Sequence, residues 1–199
     1  MFSSLLLHHS GRSSATIAIQ IVDGNDDAEE NPKGTGAVNL TSSALDMPRR
    51  LGNQQIVGLR FLALGIPQGA TILTSYIQFS ADSASADNFC VIDSIQAENV
   101  DSAAAFTTAA GSLTARAKTT ATVDWADIPQ WVTAGDRLPA QRTPDLSAVL
   151  QEVVNRPGWT ASSSLAIFIS DSFNRINNRI AVSYDGNPAQ APTLHLTYS

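Results

Sequence analysis

Cysteine is almost absent from this chain. Of 199 residues only Cys90 carries a thiol, so no intrachain disulfide can form. Cys90 lies in the apolar run Phe89-Cys90-Val91-Ile92 and reads as a small buried hydrophobe rather than a reactive group. Charge is scarce as well. Asp, Glu, Lys and Arg make up 15% of the chain, against ~25% in an ordinary globular domain. The 12 basic residues are outnumbered by 18 acidic ones, for a net charge of −6. No basic cluster is present. That argues against a nucleic-acid partner, because phosphate recognition needs concentrated positive charge. No stretch approaches the ~20 apolar residues of a membrane-spanning helix. Catalytic signatures are missing too. The three histidines are His8, His9 and His195, and no HExxH, GxSxG or Walker pattern occurs. The chain reads as a non-enzyme.

What is present is an ample apolar fraction, 43%, broken into short alternating segments. Ala15, Ile17, Ile19 and Ile21 alternate with Thr16, Ala18 and Gln20, the period of a half-buried strand. Val57, Leu59, Phe61 and Ala63 share one face of a strand within 54–64, with Gly58, Arg60 and Leu62 on the other. Gly65-Ile66-Pro67-Gln68-Gly69 then supplies a turn, and a second long strand follows over 70–81. Further strands are predicted over 36–40, 88–97, 119–125, 164–170, 179–184 and 192–198. One helix is predicted near 144–156. Thr143 stands as its cap, Pro144 in its first turn, and Leu146, Val149, Leu150, Val153 and Val154 at helical spacing. Pro157-Gly158 ends it. Many short strands, one helix and no regular βα alternation predict an all-β fold, an antiparallel β-sandwich or jelly roll. Residues 15–199 form its single domain. Residues 1–14 read as a tail or strand-exchange segment.

Several motifs together carry a resemblance. They are Asp26-Asp27-Ala28-Glu29-Glu30, Val57-Gly58-Leu59-Arg60-Phe61, Ile66-Pro67-Gln68-Gly69-Ala70, Tyr76-Ile77-Gln78-Phe79, Gln141-Arg142-Thr143-Pro144-Asp145-Leu146 and Asn155-Arg156-Pro157-Gly158-Trp159. In this order they resemble a module of bacterial secreted and surface multidomain proteins, similar to the DNRLRE-type carbohydrate-binding jelly rolls. The resemblance runs from about Ala15 to Ser199. It implies an extracellular or cell-surface jelly roll with a structural calcium, attached to or assembled with other proteins. It supplies no ligand.

Four sets of residues are candidates for function. The acidic run from Asp23 to Glu30 reads as a loop. Asp23, Asn25, Asp26, Asp27 and Glu29 offer calcium several oxygens over a short span. Arg60, a charge in mid-strand, is expected to pair with Glu30 and pin that loop to the sheet. Flat aromatic rings can stack on sugars, which makes Trp131, and after it Trp125, the candidates for a polysaccharide. In the tail, Leu5, Leu6 and Leu7 could dock on a like subunit, and a head-to-tail contact of that kind builds a homopolymer or filament.

Overall fold

A computed structural model describes residues 13–172 and 177–199. Leu5, Leu6 and Leu7 therefore lie outside the described residues. In chain order the elements are β1 (Ala15–Gln20), β2 (Asp27–Glu30), β3 (Val38–Asn39), β4 (Ala44–Met47), β5 (Arg49–Arg50), β6 (Asn53–Gln54), β7 (Ile56–Phe61), β8 (Ile72–Gln78), β9 (Phe89–Ala97), β10 (Val123–Pro129), α1 (Ser147–Val154), β11 (Leu165–Ser170), β12 (Arg179–Val182) and β13 (Thr193–Tyr198).

Two antiparallel layers face each other. One is a six-stranded sheet in the order β10-β9-β11-β7-β2-β3. The other begins as β1-β13-β8. Just beyond β8, a bridge between Ala81 and Ala181 carries this layer on to β12 and its partner β4. The main core fills the space between. Val57, Leu59, Phe61, Ile167 and Ile169 come from the six-stranded sheet, and Ile77, Leu194 and Leu196 from the facing layer. Each such aliphatic or aromatic side chain contributes about 1.5–3 kcal/mol by leaving water. The chain is thus an all-β sandwich with one short helix.

Both faces of β7 are buried. Its odd residues enter the main core, while Ile56 joins a second cluster on the outer side of the sheet with Ala28, Val38, Ala103, Phe106, Leu113, Ala166 and Phe168. That cluster exists because residues 98–122, linking β9 to β10, fold back over the sheet as a strap. The approach is close. A Cβ on Gly58 would come within 2.9 Å of Phe106 and 3.0 Å of Leu113, so only glycine fits beneath the strap.

The helix is shorter than the sequence implies. Thr143 does not cap it; its Oγ1 instead accepts from the Ile77 amide at 3.0 Å. Asp145 takes the capping work, accepting from the Ser147 amide at 3.1 Å and the Ser75 amide at 2.8 Å. The strand edge of β8 competes for the same side chains and fixes the helix against it. Val149, Leu150, Val153 and Val154 are buried there. Among the described residues no helix is long and apolar enough to cross a membrane.

Candidate functional site

The acidic run is not a loop. Asp27–Glu30 is a buried strand, hydrogen-bonded between β7 and β3. Side chains alternate across it. Asp27 and Glu29 point to the side shared by Leu59 and Val57, whereas Ala28 and Glu30 point beneath the strap. Buried carboxylates survive only when hydrogen-bonded, and each of these has found its own donors. Asp23 caps a short turn by accepting from the Asn25 amide at 2.8 Å. Asp27 Oδ2 accepts from the Tyr184 amide at 2.7 Å. Glu29 Oε1 accepts from the Asp46 amide at 2.6 Å. Glu30 Oε2 accepts from the amides of Leu113 and Thr114 at 2.7 and 3.0 Å, and its Oε1 from the Thr114 hydroxyl.

The partner of Arg60 is corrected by this register. Asp27 lies opposite Leu59, which places Asp26, not Glu30, beside Arg60. Arg60 Nη1 donates to Asp26 Oδ1 at 2.5 Å, and its Nε donates to the Ala103 carbonyl at 2.9 Å. Glu30 lies on the same side but clamps the strap. The arginine therefore ties the turn before β2, β7 and the strap into one unit.

Burial dominates the electrostatics of this edge. It pushes the Asp27 carboxyl up to about 7, with Asp185, Glu29 and Asp26 adding repulsion against the pull of the Tyr184 amide. Burial likewise raises Asp26, Glu29 and Asp46. The five oxygen-bearing residues proposed for calcium do not share a point. Their donors lie on four separate segments, and among the described residues no three acidic, histidine or cysteine side chains converge as a metal cage. Hard divalent cations want six to eight oxygens in one shell. The arrangement as it stands does not fit that demand.

The tryptophans are also not where sugar stacking would need them. Trp131 has no exposed surface, and its Nε1 donates to the Ala140 carbonyl at 3.0 Å. Trp125 is buried with its ring stacked near Phe79, centroids 6.0 Å apart. A large ring with a satisfied N–H gains more from the core than from water. His195 sits on the sheet surface, half-buried, stacked on Tyr76 with centroids 4.9 Å apart.

A different feature is a concavity among many hydroxyl and carboxamide side chains. The strap covers only part of the outer face of the six-stranded sheet, leaving a groove of about 520 Å³ beside it. Its floor is Ser94 and Gln96 of β9, Ser170 of β11 and Ile56 of β7. Thr114 and Thr122 of the strap form one wall. Lys33 and Pro32, just after β2, form another, and Asp93, Asp171 and Ser172 close an end. The size falls within the range of small-ligand sites. Part of the lining is already held in place. Ser94 Oγ donates to Gln96 Oε1 at 3.0 Å, Gln96 Nε2 donates to the Thr119 carbonyl at 2.7 Å, and the Ser172 amide donates to Asp93 Oδ1 at 2.9 Å. Among the described residues no aromatic ring lines it. Neutral hydroxyls and amides, which both donate and accept, are the matching chemistry for a polyol.

Sequence reasoning missed this groove. The only local signal is that Asp93, Ser94 and Gln96 interrupt an apolar strand on the side away from Ile92 and Ile95. The strap that makes the wall has no periodicity to announce it. In comparisons with known proteins, no family model matches the chain and no curated protein matches it either.

Proposed function

We propose that this chain is a non-catalytic, extracellular β-sandwich module that binds a polysaccharide segment in the groove beside the strap. The observation that supports this reading is the lining itself. Seven neutral hydrogen-bonding side chains, Gln54, Ser94, Gln96, Thr114, Thr122, Ser170 and Ser172, converge on one concavity on a rigid sheet. Such a surface recognises hydroxyls by hydrogen bonds rather than by stacking. Lys33 on one wall and the carboxylates at the end give the ligand a direction. A glycan array followed by calorimetry on the positive polymers tests this. Ser170→Tyr places a ring on the groove floor. Wild-type protein is expected to bind, and the variant to lose at least about tenfold in affinity at an unchanged melting temperature. Absence of binding to every glycan refutes the reading.

A second reading is a structural subunit that polymerises. It is favoured by one observation: among the described residues β1 pairs with β13 alone, which leaves its other edge for an added strand. Electron microscopy of concentrated protein with and without residues 1–14 tests it, and monodisperse monomers in both cases sink it.

A further inference from the structure

A second concavity lies at the end of the sandwich, about 270 Å³ in volume, between β2, β3 and the β5–β6 hairpin. It shares no lining residue with the groove. One buried polar atom reaches it unsatisfied. Glu29 is only 3% exposed, and its Oε2 has no hydrogen-bond partner. Gln55, 6% exposed, lines the same pocket. An orphaned oxygen of this kind costs stability unless something completes it. The nearest cation, Arg50 Nη1, stands 3.7 Å from Glu29 Oε2, and its Nε stands 3.7 Å from Asp46 Oδ2. Both separations exceed a charge-assisted hydrogen bond, about 2.7–2.9 Å, and the arginine side chain is 48% exposed. Arg50 therefore waits at the mouth rather than filling the site.

The rim has a complementary character. Leu51 is 94% exposed, held in the left-handed region at φ 47 ahead of Gly52 at φ 80. Left-handed backbone is unfavourable for leucine. An apolar side chain presented in that way beside a buried carboxylate, with Val38 also lining the pocket, offers a lip for an alkyl stem. We propose that this pocket binds a protonated primary amine, with Glu29 Oε2 as counter-ion and the carboxamide oxygens of Gln55 and Asn53 accepting its remaining protons. An ammonium brings three donors and one charge, which the pocket matches. A divalent metal prefers several carboxylates, and among the residues lining this pocket Glu29 supplies the one carboxylate.

The amine could belong to a lysine side chain or to an amino sugar, and small probes separate the two. Nα-acetyl-lysine methylamide and glucosamine are titrated into the intact protein, followed by calorimetry or amide chemical shifts. Their Nζ-acetylated and N-acetylated forms, and calcium chloride, serve as controls. At least one free amine is expected to saturate, and its acetylated form to bind about tenfold weaker or worse. Glu29→Gln keeps an acceptor for the Asp46 amide and is expected to lose about tenfold in amine affinity. Arg50→Ala removes the competing cation and is expected to tighten the amine, which remains decisive should Glu29→Gln fail to fold. Equal binding of acetylated probes, an unaffected Glu29→Gln, weaker binding by Arg50→Ala, or a response to calcium alone would each overturn the assignment.

Discussion

Replacing Asp27 with asparagine should change how stability depends on pH. The Asp27 carboxyl is 2% exposed and its pKa is raised from 3.8 to about 7, chiefly by burial. Below about pH 3.8 the folded and unfolded chains both hold the proton, and the group contributes nothing. Between there and pH 7 the unfolded chain has released it while the folded chain retains it, so stability falls as pH rises. Above pH 7 both states are ionised and the loss is complete. At about 1.4 kcal/mol per tenfold in proton affinity, the full loss is roughly 4 kcal/mol. In Asp27→Asn the charge is gone, and Oδ1 still accepts from the Tyr184 amide. The new amide N–H group costs about 1–3 kcal/mol if it finds no acceptor. The variant should therefore be equal to the wild type, or slightly weaker, at pH 4.5. It should be more stable by about 1–3 kcal/mol at pH 8.5. Urea unfolding in EDTA at a series of pH values measures this, with the buried Trp125, Trp131 and Trp159 as fluorescence reporters. Removing this charge also relieves Asp26 and Glu29, so the gain lies at the upper end if those carboxylates follow. A stability difference between the two proteins that stays constant from pH 4.5 to 8.5 refutes the reasoning.

Three further outcomes follow from the same structure. Glu30→Ala strips the acceptor from two backbone amides at the strap and should cost about 2–4 kcal/mol in urea unfolding, with hydrogen exchange at Leu113 and Thr114 rising first. Trp131→Ala should cost about 3–5 kcal/mol as a core truncation, while glycan affinity per folded molecule stays unchanged; a selective loss of binding would return Trp131 to a ligand site. Calcium and EDTA should leave the melting temperature within a degree, since the acidic side chains already hold separate donors. A clear calcium-dependent rise would show that they swing onto a common ion.

Much of the sandwich is legible in the sequence because burial of one face imposes a period of two. β1 and β13 can be read that way, and the helical spacing from Leu146 to Val154 marks the helix. β2 defeats the same approach. Four residues, three of them acidic, between turn-forming neighbours look solvated, and what buries them lies far along the chain: the Tyr184 amide for Asp27, the Asp46 amide for Glu29, the Leu113 amide for Glu30. Composition over a short window carries no trace of such donors. The same holds for Trp131, whose satisfaction by the Ala140 carbonyl is a matter of tertiary closure. The groove is assembled from strands and a strap that only the fold brings together.

The strap has a consequence for how the molecule opens. Its own apolar cluster is small and lies outside the main core. Polar ties fasten it: Glu30 to Leu113 and Thr114, Arg60 to Ala103, and Arg156 to Asp101 at 2.7 Å. Segments with few buried apolar contacts open at lower free energy than the core, so the strap is expected to exchange its amides before the two layers separate. Thr114 is at once part of that fastening and part of the groove wall. A ligand bound in the groove would therefore favour the closed strap. A ligand that slows proteolytic nicking within 98–122 while leaving global unfolding almost untouched would be acting through this hinge alone.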